Sequence, residues 1–216
     1  MIHSVRQLGS VGKRALLCRR YHVIRFETLP RLTIGGEPGD RASVLWAMGA
    51  LPDGSAEVMG AWLRFGAEQP AWAVISDELS RRGVEQVGVV VAEDLKADVS
   101  AFAGNPILVP NPSFNVDWSP LCGLSRRGWC IVERTRLMAR SIQAEVVRSL
   151  RRKARFGSTA DALEATDIAL KRAEYRVLAC GSVMGGVLPL PETHRFRCQL
   201  LRDSESMPGT LNGRRE

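Results

Sequence analysis

The sequence has few of the features that mark membrane, secreted and metal-binding proteins. No stretch approaches the roughly 20 apolar residues that a membrane-spanning helix requires, and the start of the chain has basic residues on both sides of a very short apolar run. The five cysteines are Cys18, Cys122, Cys130, Cys180 and Cys198, and no Cys-x-x-Cys pair is present that could begin a zinc site or a redox motif. We therefore expect no membrane insertion, no secretion, and reduced thiols in a cytoplasmic protein.

Acidic residues are also fewer than basic residues. The chain has 30 Lys and Arg against 23 Asp and Glu, which gives a net charge of +7. This balance favours polyanionic partners such as nucleic acid. At 216 residues with 45% hydrophobic content, the chain is long enough to bury the core of one domain and to carry extensions.

Strand and helix patterns alternate in the way that is typical of a mixed α/β sheet. The predicted strands are residues 21–27, 43–51, 57–65 and 86–92, with a short further strand at 107–109. The Pro-Asp-Gly-Ser turn at residues 52–55 predicts that the second and third strands form a hairpin. A helical spacing of apolar residues over 69–82 predicts a helix that leads to the fourth strand.

That fourth strand ends in two acids, Glu93 and Asp94. Its continuous valines favour a parallel strand that is covered on both faces. The acids have one explanation in helix capping, because carboxylates in the first turn of a helix are stabilised by about 0.3–1 kcal/mol. They have another in catalysis, because Asp and Glu supply the hard oxygen ligands that Mg²⁺ prefers.

The second half of the chain is helical and basic. Apolar residues at helical spacing predict a helix over 131–150, and Ser158 is a natural N-cap for a second helix that runs to about Tyr175. Residues 126–155 contain ten Arg or Lys and two Glu, a net charge of +8. A solvated helix face would explain this run, but clustering of the charges favours contact with a DNA backbone. The predicted DNA-binding residues are Arg126, Arg127, Arg134, Arg140, Arg148, Arg151, Arg152, Lys153 and Arg155.

Three segments carry a family resemblance. The first is the hairpin with its Pro-Asp-Gly turn, the return strand EVMG at 57–60 and Trp72; the second is VVVAEDLK at 89–96; the third is CIVE at 130–133 with the helices beyond it. In this order they resemble the catalytic core of bacterial Mutator-type transposases, which belong to the DDE class. The resemblance covers residues 21–176. It implies an α/β fold with a ribonuclease H-like mixed sheet, flanking helices and a helical insertion.

The resemblance also implies the site residues. In the family, the acid that follows this strand is the second metal-binding Asp, and that position falls on Glu93 here, with Asp94 in place of a Gly. The first family acid falls near Glu27, and the best-placed acid for the last one in chain order is Glu192. The implied catalytic residues are Glu93, Asp94 and Glu27. If the chain is active, Glu93 and Asp94 would hold Mg²⁺ or Mn²⁺; if it is inactive, we expect no cofactor.

The implied ancestral function is DNA transposition by metal-dependent strand cleavage and joining. The acid triad is incomplete, and the family's Cys-x-x-His motif has Glu133 in the position of its His, so we expect this copy to be inactive. The alternatives are a non-catalytic DNA-binding protein and a remnant without function. Only about 20 residues precede the first strand, so we also expect a truncated, diverged member without the family's N-terminal DNA-recognition helices. We predict that Cys130 is a buried thiol.

These expectations divide the chain into four parts. Residues 1–20 would form a basic arm or a loosely packed helix, 21–120 the ribonuclease H-like core, 121–176 the helical insertion and 177–216 an irregular, disordered tail. In this topology the strand at 86–92 must lie beside the first strand. The expected partner is DNA and not a membrane, and a homodimer is left open.

Overall fold

The computed structural model describes residues 10–11, 17–35, 41–65, 72–92, 102, 104–110, 124–151 and 155–183. Within these residues the chain has a mixed α/β fold with one sheet and three helices, which confirms the predicted class. The strands are β1 (Ser10–Val11), β2 (Arg20–Thr33), β3 (Arg41–Ala50), β4 (Ala56–Phe65), β5 (Gln86–Ala92) and β6 (Ile107–Pro110). The helices are α1 (Trp72–Arg81), α2 (Arg126–Leu150) and α3 (Thr159–Val183). Across the sheet the strand order is β1-β4-β3-β2-β5-β6.

Strand β2 lies in the interior of this sheet and pairs with a strand on each side. It pairs antiparallel with β3 on one side and parallel with β5 on the other, so that Val23 has Ala50 and Val89 as its two partners. Strand β5 pairs parallel with β6 in turn. The expectation that the valine-rich strand lies parallel to and beside the first strand is confirmed. Its valines are buried because helices cover both faces of the sheet at this point.

The turn between β3 and β4 confirms the predicted hairpin. Gly54 has a φ of 90°, a left-handed conformation that glycine adopts without strain. Asp53 Oδ1 accepts hydrogen bonds from the Ser55 backbone N–H (2.8 Å) and from its hydroxyl (2.6 Å). The local sequence thus supplies both the backbone angle and the side-chain acceptor that this turn needs.

One face of the sheet is covered by α1. The helix buries Trp72, Ile75 and Leu79, the residues that predicted it, against a core that includes Phe26 and Trp62. The Phe26 ring meets the Trp72 ring edge-on with 4.9 Å between the centroids. This face is therefore an aromatic core.

The opposite face is covered by α2 and α3. Leu29 of β2, Trp46 of β3, Ile142 of α2 and Leu170 of α3 belong to one buried cluster. The two helices touch each other, α2 lies against β2, and α3 lies against β4. The helices that we predicted as an insertion thus pack directly on the sheet.

The helix bounds differ from the predicted ones in two places. Helix α2 begins five residues earlier, because Ser125 caps it by accepting a hydrogen bond from the Gly128 N–H at 3.2 Å. Helix α3 ends at Val183, well past Tyr175, so residues 177–183 are helical and not part of an irregular tail. Its predicted start is confirmed, since the Ser158 hydroxyl accepts from the Asp161 N–H at 3.1 Å.

The N-terminal arm contains a short strand. Ser10 and Val11 pair antiparallel with Trp62 and Ala61 of β4, so these two residues form a strand and not the loosely packed helix that was one of the two expectations. The four-part division of the chain stays a prediction. Among the described residues, no helix is long and apolar enough to cross a membrane.

Candidate active-site edge and basic surface

The carboxyl ends of β2 and β5 lie side by side because the two strands are parallel. Arg25 of β2 is in register with Val91 of β5, and Ala92 is the last residue of β5. We call this place, with Glu27 on one strand and the end of β5 on the other, the acid edge. Glu93 and Asp94, the predicted catalytic and metal-binding acids, lie outside the described residues, and their roles stay predictions.

Glu27, the third predicted catalytic residue, is held in an ion pair. Its Oε1 lies 3.3 Å from Nη1 of Arg25, and the two side chains are 13% and 2% exposed. Glu27 is therefore not the solvent-facing strand residue that would be its simplest interpretation. Its carboxylate already has a cationic partner beside it, within the protein itself.

Arg25 is the residue that sequence reasoning missed. It is almost fully buried, and its Nε donates to Thr135 Oγ1 of α2 at 3.4 Å. Burial lowers the pKa of the Arg25 guanidinium, and the nearby Glu27 carboxylate opposes that shift. An arginine stays charged at any pH that a folded protein meets, so a positive charge is fixed beneath the acid edge. Alternation along β2 was the available signal, because it places Arg25 on the same face as the buried Val23.

A second ion pair lies next to the first, in the Cys-x-x-Glu motif of α2. Glu133 is buried, and its Oε2 lies 2.8 Å from Nη2 and 2.9 Å from Nε of Arg136. Cys130 is exposed, so the expectation of a buried thiol there was wrong. The reason is helix geometry, since its neighbours Trp129 and Ile131 take the sheet-facing side.

The described residues offer no group of three or more His, Cys, Asp or Glu side chains that could hold a metal ion. Within them, the acid edge contributes Glu27, already engaged by Arg25, and Glu133 is engaged by Arg136. The part of the chain that the structure describes therefore does not by itself fit a two-metal site, which requires several converging carboxylates.

The structure separates the predicted DNA-binding residues into groups. Arg152, Lys153 and the side chain of Arg126 are outside the description. The others are all exposed: Arg127, Arg134, Arg140, Arg148, Arg151 and Arg155. Of these, Arg148 is paired with Glu145 at 2.6 Å, and Glu145 also pairs with Arg176 of α3 at 3.1 Å.

Arg127 and Arg134 lie toward the turn between β3 and β4. Nη1 of Arg134 is 3.5 Å from the place that a Cβ on Gly54 would occupy. The pKa of Asp53 is lowered, chiefly by its hydrogen bonds from Ser55, and the charge of Arg127 contributes. We call this side of α2 the turn flank. Its positive charges are partly offset by an ionised carboxylate.

His22 is packed against the first turn of α2. A Cβ on Gly128 would lie 2.7 Å from His22 Nε2, so only glycine permits this approach. Burial lowers the pKa of His22, and the positive charge of Arg127 acts in the same direction. The imidazole is thus kept neutral near pH 7 and acts as a packing group here.

Part of this chain matches a known protein family. Residues 14–104 match the model of the family described as transposase, Mutator family. A comparison with curated proteins found no match. The matched residues run from before β2 to beyond β5 and so include both strands of the acid edge, with Glu27, Glu93 and Asp94. Over residues 14–104, this chain is therefore similar to the Mutator family of transposases.

Proposed function

We propose that this chain is a transposase-derived protein that binds DNA through α2 and does not catalyse strand transfer. The observation that carries the proposal is a set of exposed arginines for which the described residues provide no carboxylate within ion-pair distance. These are Arg127, Arg134, Arg140, Arg151 and Arg155. Exposed arginines on one helix and the loop after it can each neutralise a phosphate, which is the main source of sequence-independent DNA affinity.

The strand order supports a ribonuclease H-like core. Strands β4, β3 and β2 form an antiparallel meander, and β5 and β6 continue the sheet in parallel beyond β2. That is the arrangement required by the family resemblance, with the first and fourth core strands adjacent. We propose that the acid edge corresponds to the ancestral catalytic position.

We propose the loss of catalysis because the acid edge lacks a free third carboxylate among the described residues. In the proposed ancestral reaction, Mg²⁺ or Mn²⁺ would be held by Glu93 and Asp94 and would supply Lewis-acid activation of the attacking oxygen. A third ligand would have to come from Glu27, whose carboxylate is engaged by Arg25. Recruiting it to a metal would leave the guanidinium of Arg25 buried without that partner, which is costly. The cytoplasmic location and a homodimer also stay predictions.

DNA binding is tested by fluorescence anisotropy with a labelled duplex over a salt series. We expect weak binding without sequence preference and a linear fall of log K with log salt concentration. Reversing the charges of Arg151, Arg152 and Lys153 should lower the slope by about 0.9 for each phosphate that the variant no longer neutralises. Arg81→Glu is the matched control, because Arg81 lies on α1 at the opposite face of the sheet. An unchanged slope in the triple variant would mean that DNA binds elsewhere on the protein.

Catalysis is tested by a nicking assay on supercoiled DNA with Mg²⁺ or Mn²⁺. We expect no metal-dependent nicking by the natural chain, and no difference from Glu93→Gln or Asp94→Asn. Cleavage that depends on metal and is abolished by either substitution would overturn the non-catalytic part of the proposal and leave DNA binding intact.

A further inference from the structure

Among the described residues, a neighbouring strand covers only part of the outer edge of β4. On its inner side β4 pairs with β3, where Val58 lies opposite Met48. On its outer side the described pairing with β1 is confined to Trp62 and Ala61. An edge strand presents unpaired N–H and C=O groups. Within the described part of the chain, the outward groups of β4 that precede Ala61 must therefore find partners other than β1.

A carboxylate from α3 supplies one such partner. Glu174 Oε1 accepts a hydrogen bond from the Val58 N–H, although the two residues are 116 positions apart in the chain. A side-chain oxygen thus satisfies an N–H that would otherwise pair with the carbonyl of an added strand. The cost of burying this carboxylate is visible in the pKa of Glu174, which burial raises while the bond from Val58 lowers it.

The same stretch of β4 contains a β-bulge. The register between β3 and β4 shifts here, so that Met59 is an extra residue between Val58 and Gly60, which have successive partners in β3. The Met59 carbonyl accepts a hydrogen bond from Nη1 of the buried Arg82, the residue after α1. A bulge bends an edge strand and interrupts the regular spacing that an added strand would need.

Glu57, beside Val58, adds a charge that is turned inward. Its Oε1 accepts a hydrogen bond from the Tyr21 hydroxyl at 2.5 Å, and Tyr21 is buried on the α1 face of the sheet. Inward-pointing charges and bulges are both means by which proteins prevent sheet edges from pairing. Residues 57–59 thus combine an inward charge, a capped N–H and a bulge.

We propose that Glu174 keeps the outer edge of β4 closed to a second copy of this chain. Of the three features, the Glu174 cap is the one that satisfies the Val58 N–H, and leaving a partly buried N–H unsatisfied is costly. Without the cap, two copies pair antiparallel through this edge about a two-fold axis, and each Val58 N–H donates to a carbonyl of the other copy. The proposal does not depend on DNA binding.

The first test is sedimentation velocity over about a hundredfold range of protein concentration. Glu174→Leu removes the acceptor, whereas Glu174→Gln keeps an oxygen in its place. We expect Glu174→Leu to self-associate at least about tenfold more tightly than the natural chain, because two equivalent N–H···O bonds form across the axis. Glu174→Gln should sediment like the natural chain. Glu164→Leu, at an exposed position of α3, controls for the added apolar surface.

Two results of this first test would overturn the proposal. One is a Glu174→Leu variant that sediments like the natural chain or like Glu164→Leu. The other is equal association by Glu174→Gln and Glu174→Leu, since the acceptor oxygen would then not be what closes the edge.

The second test locates the contact by hydrogen exchange at the Val58 amide. In the natural chain and in Glu174→Gln its protection should not change with protein concentration, because the acceptor belongs to the same chain. In Glu174→Leu it should exchange at least about tenfold faster when dilute and regain protection as concentration rises. The amide of Val23 on the interior strand β2 is the control that the fold is kept. Association of Glu174→Leu without concentration-dependent protection at Val58 would place the contact elsewhere and overturn the proposal.

Discussion

Strand β2 contributes side chains of different kinds to the two faces of the sheet. On the face under α1, Phe26 packs among Trp62, Trp72 and Phe102. On the face under α2, its sequence neighbours Arg25 and Glu27 form a largely buried ion pair. Because side chains alternate along a strand, three successive residues serve an aromatic core and a charged edge.

The polar groups on the α1 face serve packing. Trp62 Nε1 donates to Glu78 at 2.9 Å, and the buried Arg82 donates to the Met59 carbonyl at 2.5 Å, where β4 has a bulge. These bonds lie away from the acid edge and fasten the end of α1 to β4. We therefore expect the polar groups on the α1 face to add to stability, whereas the largely buried Arg25–Glu27 pair on the α2 face costs some stability.

The sharpest test of this contrast is truncation on the aromatic side. Phe26→Ala should destabilise the protein by about 3–5 kcal/mol, because it removes a fully buried ring and leaves a cavity among the surrounding aromatics. Urea unfolding measures the destabilisation. Val74→Ala on the exposed side of α1 is the control and should change stability by less than about 0.5 kcal/mol. A similar small change for both would mean that the Phe26 ring contributes little to stability.

A smaller effect is expected from the ion pair on the other face. Arg25→Met should cost about 3 kcal/mol, because it leaves the Glu27 carboxylate largely buried without this cation. The double variant Arg25→Met/Glu27→Leu should recover much of that stability, since an apolar pair of similar volume has no charge to desolvate. Arg81→Met is the matched control, because its pair with Asp77 is exposed and should contribute less than about 1 kcal/mol. A double variant no more stable than Arg25→Met would show that the loss does not come from an uncompensated Glu27 carboxylate.

The smallest expected effect concerns Glu174 on α3, whose Oε1 accepts a hydrogen bond from the Val58 N–H. Burial raises the pKa of Glu174 above its ordinary value of 4.5. The folded state therefore holds this proton more tightly than the unfolded state, and the group's contribution to stability is lost as pH rises from 4.5 through the raised value. Glutamine can still accept the hydrogen bond but carries no charge.

Glu174→Gln should therefore match the natural chain at low pH and become slightly more stable than it near pH 7. Unfolding in urea across a pH series measures this. Glu164→Gln, at an exposed position on the same helix, is the control substitution. A Glu174→Gln variant that loses stability with rising pH relative to the natural chain would show that the ionised carboxylate is preferred at this site.

Local patterns in the sequence predicted most of the elements. The Pro-Asp-Gly-Ser turn specifies the hairpin through a left-handed glycine and an aspartate acceptor, both of which act within four residues. The valine run of β5 indicates a strand covered on both faces, and the apolar spacing of α2 indicates a helix with one buried side. The family resemblance added the adjacency of β2 and β5, which periodicity does not contain.

The candidate site depended on contacts between distant residues. Arg25 donates to Thr135, which lies 110 positions along the chain, and Gln143 reaches the Thr28 carbonyl over 115 positions. These contacts set the level and direction of α2 on β2. Periodicity specifies which side of a helix is buried, because that follows from local geometry. How far the helix slides along a strand is decided by side-chain packing between the two elements, and only the tertiary structure contains it.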